Sequence, residues 1–274
     1  MRKIEKIALG QYIQANSPIH RLDPRVKIIA AVLAMVSVFL TETFIGFLCW
    51  SIALTAAIHT SKIPFRAALY SVKPIIGLIL ITSLIHILFT KSGTVIFTWG
   101  LVCVTRGGIE FASLIALRLI AMILCASILT FTTTPAKLSE GTARLLSPLS
   151  RIGIPVCDIS MMITIALRFI PTLFEEMQKI IAAQKSRGAD FESGGLVRRT
   201  KAYIPVLIPL FVIMFRRADN LATAMEARGY VGGVERTSLH PLVWGKNENI
   251  ALLICTAVPS AIIAAERTLF TLLG

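Results

Sequence analysis

Residues 109–131 read IEFASLIALRLIAMILCASILTF, an apolar run whose charges are Glu110 at its start and Arg118 in its middle. A hydrocarbon core of about 30 Å asks for roughly 17 to 25 apolar residues in helical form, so this stretch by itself sets the chain in a bilayer. Four further runs, 26–40, 44–58, 74–89 and 250–273, bring the expectation to about five transmembrane helices. Runs 26–40, 44–58 and 74–89 are short, so they must extend into their flanks or stand nearly upright, and Thr41-Glu42-Thr43 between the first two predicts a tight hairpin. Composition agrees: 55% of the 274 residues are hydrophobic and the mean hydropathy is +0.76, more apolar side chain than one water-facing fold can bury.

The net charge of +13 is not read as a nucleic-acid footprint, because cytoplasmic loops of membrane proteins collect Lys and Arg. With the N-terminus in the cytoplasm, 24 of the 28 Lys and Arg fall inside: six up to the start of the first run, three in 61–73 and fifteen in 137–246. Lys91 and Arg106 fall in outside loops, and Arg118 and Arg267 within runs. The reverse orientation would translocate nearly every cation. The expected topology is therefore N-terminus inside and C-terminus outside, in the plasma membrane.

Residues 1–27 are polar and charged and lack the short apolar core of a cleavable signal, so the first run is expected to stay as an anchor. The five cysteines (Cys49, Cys103, Cys125, Cys157, Cys255) are scattered and read as small packing residues. The four histidines are equally dispersed, with no His or Cys at metal-ligand spacing, so neither a metal nor another cofactor is expected. Arg118 and the Glu266-Arg267 pair are costly in lipid and are expected to face protein or an interface, in a structural pairing or snorkelling role.

Between 134 and 246 the pattern changes. Thr134-Pro135 is a helix start, Thr as cap and Pro at the first helical position, and a short amphipathic helix is expected to follow to about Leu149. One long helix is expected from about Cys157 to Arg187 and another from about Leu196 to Arg228. Their apolar starts are broken off by Arg168 and Arg216 and read as too short to cross a bilayer, so both helices are placed against the bundle or at the inner interface. Ala182 and Ala183 on the first, with Ala218 and Ala222 on the second, are small residues that let helix backbones approach, which predicts that the two helices cross.

Both long helices end in nearly the same word. Ser186-Arg187-Gly188 closes one and Ala227-Arg228-Gly229 the other. A single ending of this kind is ordinary capping, since Gly tolerates left-handed backbone angles and a cation in the last turn gains about 0.3 to 1 kcal/mol from the helix dipole. A matched pair, each preceded by a small residue and an amphipathic helix, reads as a docking device for two similar sockets.

Other classes fit poorly. No G-x-x-x-x-G-K-[ST] phosphate loop is present, and the four aspartates, Asp23, Asp158, Asp190 and Asp219, are isolated singles, so neither an ATPase nor a metal-dependent lipid transferase is expected. A stand-alone secondary transporter would call for inverted repeats with broken spans and midplane polar groups, whereas the repeat here lies in the cytoplasmic block. A plain membrane scaffold is the third reading.

The two motifs resemble the pair of Ala-Arg-Gly motifs that marks the transmembrane T component of energy-coupling factor (ECF) importers, with Ser186 in place of Ala in the first. The resemblance extends to Gly10-Gln11-Tyr12, to the segment His20-Arg21-Leu22-Asp23-Pro24-Arg25-Val26-Lys27, and to Ala166-Leu167-Arg168-Phe169-Ile170-Pro171 with Glu176 and Gln184. It implies an all-α polytopic membrane protein with a cytoplasmic coupling module at 134–246, set between a membrane region at 1–133 and a last span at 247–274. It implies as partners two ABC ATPase subunits, docked at Ser186, Arg187, Gly188, Ala227, Arg228 and Gly229. A membrane-embedded substrate-binding S component is the third partner, sliding on a face that includes Met161, Met162, Met214 and Phe215. The subunit itself would be non-catalytic and would serve uptake of vitamins or other micronutrients.

Overall fold

Capping residues set several helix starts. Asp23 accepts from the Arg25 amide (2.8 Å) with Pro24 at the first helical position, and Thr43 and Thr105 accept from the amides of Gly46 and Gly108 three residues on. The computed structural model describes residues 12–13, 15–99, 102–191, 193, 195–231 and 244–273. Its helices are α1 (Pro18–Arg21), α2 (Pro24–Leu40), α3 (Phe44–Thr60), α4 (Phe65–Val72), α5 (Ile76–Phe89), α6 (Arg106–Thr132), α7 (Pro135–Leu146), α8 (Val156–Ser186), α9 (Leu196–Ala202), α10 (Ile204–Ala227) and α11 (Lys246–Leu273). A 3₁₀ turn at Lys73–Ile75, around Pro74, joins α4 to α5, and a second at Ser147–Ile152 follows α7. The expected all-α polytopic class holds.

The contacts divide the chain into two units, residues 10–142 with 242–274, and residues 1–9 with 143–241. The boundary falls inside α7. In the first unit α6 is the central helix, packed by α2, α3, α4 and α5, while α11 lies against α2 and α3. Val38, Phe47, Trp50, Leu54, Ala121, Cys125 and Ile262 form its main buried cluster. Large apolar side chains on the outer faces, such as Leu48, Ile52, Leu80 and Ile81, are exposed, as suits a bundle whose solvent is hydrocarbon.

Each of the five apolar runs is helical. Phe65–Phe89, Arg106–Thr132 and Lys246–Glu266 are long and apolar enough to cross a membrane, and Phe44–Thr60 is a shorter apolar helix. The same length and composition belong to Val156–Ser186, which the sequence reading judged too short because it stopped at Arg168. The helix runs through that arginine, and its average hydropathy over a full span length stays high. α2 is 17 residues long, about 25 Å.

Three local features depart from the reading. The helix expected from 196 to 228 is two, α9 and α10, divided at Tyr203, where Pro205 has no amide to continue the ladder. Residues Val95–Trp99 and Val102–Thr105 form an antiparallel hairpin, β1 and β2, in the connection between α5 and α6. Alternating β-branched and aromatic residues in Thr94-Val95-Ile96-Phe97-Thr98-Trp99, followed by Gly100, carry its signal. Finally, α2 and α3 are joined by the expected short link, yet their packing runs through α6 and α11.

Of the intramembrane charges, Arg118 and Glu266 find protein partners, and the Arg267 side chain lies outside the described residues. Arg118 on α6 donates from Nη2 to the Thr41 carbonyl (2.7 Å) and lies 5.4 Å over the Phe39 ring. Within α1, His20 bridges back to the preceding segment, Nε2 donating to the Ile13 carbonyl (3.0 Å) and Nδ1 facing Ser17 Oγ (2.7 Å). The Ile13 amide donates to the Phe131 carbonyl (3.1 Å), which fastens this opening segment to the end of α6. Gly10 and Gln11 lie outside the described residues.

Candidate functional site

In the second unit, α8 and α10 end in the same backbone construction. At the first, the Gly188 amide donates to Lys185 O (3.0 Å) and the Ala189 amide to Gln184 O (3.0 Å). At the second, the Gly229 amide donates to Glu226 O (2.9 Å) and the Tyr230 amide to Met225 O (2.9 Å). Both are Schellman motifs in identical register, with Arg187 and Arg228 as C-caps and the glycine at φ 86° and φ 73°. A side chain there would meet no neighbouring atom at either glycine, so the left-handed angle is what demands Gly.

The caps consume the last carbonyls with backbone amides, which leaves each guanidinium outside the cap. Arg187 and Arg228 are both exposed, as are Ser186 and Ala227. Two cationic tips of identical geometry are thereby presented at two helix ends. A surface guanidinium of this kind offers a planar fork of donors suited to a carboxylate.

The surroundings of the two tips differ. After the first, Phe191 turns inward, 4% exposed, with its ring 5.1 Å from that of Tyr203. Arg199 Nε donates to the Phe191 carbonyl (3.3 Å), and the Ser193 amide and hydroxyl both bond to the Asp190 carboxylate. The loop is thus latched to the α9–α10 junction. Phe191 was not singled out from the sequence, and its signal there is no more than an aromatic residue in a polar loop.

α8 and α10 pack together, and Arg217 on α10 lies 5.7 Å over the Phe169 ring of α8. Ala218 and Ala222 line a cleft of about 310 Å³ beside this contact, together with Met214. Ala182 and Ala183 are exposed near the far end of α8. Of the four residues read as a sliding surface, Met162 and Phe215 are exposed at 62% and 67%, whereas Met161 and Met214 are half-buried. The exposed apolar stripe on α10 also includes Ile204, Ile208 and Phe211, which the sequence reading did not name. The Lys179–Glu176 pair on α8 (3.1 Å) is a solvated helix-face contact of small energetic weight. Among the described residues no cluster of three or more His, Cys, Asp or Glu could hold a metal ion.

The family described as CbiQ, cobalt transport protein, matches residues 15–239. The chain is 44% identical over 263 residues to the energy-coupling factor transporter transmembrane protein EcfT of Thermanaerovibrio acidaminovorans, covering 96% of this chain and 97% of that one. This chain belongs to the EcfT family. It is 45% identical over 267 residues to the EcfT protein of Ruminiclostridium cellulolyticum (97% and 100% covered) and 41% identical over 258 residues to that of Bacillus subtilis (93% and 97% covered). Like the apolar helices, membership in the EcfT family makes this a multi-pass membrane protein. The family match embraces both Schellman ends, α8 and α10.

Proposed function

We propose that this chain is the transmembrane coupling subunit of an ECF-type ABC importer. In this reading two ABC ATPases dock at Ser186-Arg187-Gly188 and Ala227-Arg228-Gly229, a carboxylate in each groove taking the guanidinium. Closing of the ATPase pair on ATP moves α8 and α10, which pivot on each other through the small residues Ala218 and Ala222, with Ala182 and Ala183 nearer the tips. That motion tilts a membrane-embedded S component seated on the apolar face that includes Met161, Met162, Met214 and Phe215. The substrate, a vitamin or another micronutrient, is chosen by the S component, and the subunit itself is non-catalytic. The N-terminus and both arginine-tipped helix ends face the cytoplasm, and the C-terminus faces outside, in the plasma membrane.

The observation that carries this reading is the geometric identity of the two Schellman ends, each presenting one exposed arginine. Two related sockets explain a repeated plug, whereas capping alone requires no arginine at either position. The deciding experiment is co-purification of ATPase subunits with the wild type and with the Arg187→Ala/Arg228→Ala double variant. Retention of a nucleotide-hydrolysing pair by the wild type and its loss in the variant is the expected result. Wild-type retention by the variant, or substrate transport by the chain alone in liposomes, overturns it.

A further inference from the structure

The membrane unit contains a cleft of about 970 Å³ bounded by α2, α3, α6 and α11. It exists because the facing residues are short: Ala30, Ala31 and Ala34 line it from α2, and Ala53, Ala56 and Ala57 from α3. Ala30, Ala31, Ala34, Ala53 and Val258 of α11 lie along the middles of their helices, with Ala56 and Ala57 nearer the end of α3, so the deep part is apolar. The other end is polar and falls at one end of the bundle, where α2 and α11 begin and α6 stops.

Two cations sit at that polar end. Lys27 is 7% exposed, and its Nζ donates to the carbonyls of Thr132 and His20, both at 3.1 Å. An ammonium has three donors, so one is left beyond these two. No carboxylate oxygen of the described residues lies within 4.0 Å of Nζ, and Asp23, one turn earlier, accepts from Arg25 instead. Burying a charge with no carboxylate in contact is costly, and an anion at this end relieves the cost. Arg21, on the rim, is held by a neutral partner, Nε and Nη2 both donating to Asn16 Oδ1 (3.1 and 2.8 Å). Glu248 is the one carboxylate lining the cleft, and it accepts from the Gly245 amide (3.0 Å). The polar end therefore carries an excess of positive charge.

We infer that this cleft binds one anionic phospholipid from the adjacent leaflet, its phosphate against Arg21 and Lys27 and an acyl chain along the alanine walls. The combination of a cationic mouth and a long apolar depth matches that molecule end to end. A free phosphate would leave the depth empty, and a zwitterionic lipid would leave the charge excess unmatched. The cleft falls within the roughly 300 to 1,000 Å³ typical of small-molecule sites.

The test is native mass spectrometry of the full-length chain, released from detergent after titration with dioleoyl phosphatidylglycerol, dioleoyl phosphatidylcholine or inorganic phosphate. The expected result is one retained phosphatidylglycerol, favoured about fivefold or more over phosphatidylcholine. Arg21→Gln, an exposed rim change, is expected to remove about fivefold of that preference without altering phosphatidylcholine retention. The paired fillings Ala31→Phe and Ala57→Phe are expected to abolish retention of both lipids. Equal retention of the two lipids, displacement by inorganic phosphate, or unchanged retention in the filled variant overturns the inference. If the filled variant does not fold, a phosphatidylglycerol with a photoreactive acyl chain supplies the second measurement. Its adducts should map to 30–34 and 53–57. Adducts elsewhere, or cross-linking of the Ala57→Cys variant to a partner membrane helix in the assembled complex, count against the lipid.

Discussion

Glu266, near the end of α11, accepts the backbone amide of Thr43 (2.6 Å) across 223 residues of sequence, and the same Oε1 accepts the Glu42 amide (2.7 Å). Arg118 holds the other end of that link through the Thr41 carbonyl. The Thr41-Glu42-Thr43 turn is therefore gripped by an anion at its amides and a cation at its carbonyl, each matched to the local backbone charge. Two ionised side chains that would be costly alone in lipid are given protein partners in this way.

Glu266→Ala should lower stability by about 2 kcal/mol, since it deletes two charge-assisted bonds and leaves two amides without that partner. Glu266→Gln, which keeps a neutral acceptor, should lose less. Thermal unfolding of the detergent-solubilised chain measures both, and equal midpoints for wild type and Glu266→Ala would show that the turn does not depend on the carboxylate.

A β-carbon added at Gly141 would stand 2.8 Å from Pro24 Cβ and 3.2 Å from Ile28 Cδ1. Gly141→Val should therefore push α7 from the start of α2 at a cost of about 1 to 3 kcal/mol. The readout is the thermal midpoint, together with faster amide exchange in 135–142.

Gly188→Ala and Gly229→Ala should each cost about 1 to 2 kcal/mol, because both positions need a left-handed backbone angle. Asn at either position should be tolerated better than Ala. Amide exchange at 188–189 and 229–230, the donors of the two caps, should accelerate in the Ala variants, and unchanged exchange would exclude the strain argument.

Phe191→Ala removes a buried ring stacked near Tyr203 and should cost about 3 kcal/mol. Exchange in the loop after Arg187 should rise while the amides of 229–230 stay protected. A rise at both ends would mean the latch serves the whole unit and not the first tip alone.

Singly, Arg187→Ala and Arg228→Ala should each weaken ATPase association by about 2 to 5 kcal/mol if the guanidinium is desolvated against a carboxylate. Arg→Lys should also weaken it, because Lys cannot supply the planar fork. Dissociation constants in titrations with purified ATPase pair are the measurement, and membrane insertion should be unchanged throughout.

The sequence by itself determined what depends on neighbours within a few residues. Asp23-Pro24 and Thr134-Pro135 start helices because the capping oxygen reaches an amide two or three positions away, at 2.8 Å from Asp23 to Arg25 and 3.4 Å from Thr134 to Lys137. The two Arg-Gly ends were legible for the same reason, since a Schellman cap closes within six residues. Tyr203 and the β1–β2 hairpin carried local signals too, in Pro205 and in the alternating 94–99 segment, which the strong helical pattern on either side overrode.

Only the tertiary structure decided the contacts that bridge distant segments. Nothing near Glu266 in sequence points to Thr43, nothing near Lys27 points to Thr132, and the alanines of α2 and α3 become a cleft only when α6 and α11 close around them. Lys27 counts among the cytoplasmic cations by the charge rule, yet packing has buried it against two carbonyls. The physical reason is that a cap is specified by the chain's own geometry. A long-range hydrogen bond or a void is specified by how helices pack, and many spacings of apolar residues satisfy the same packing.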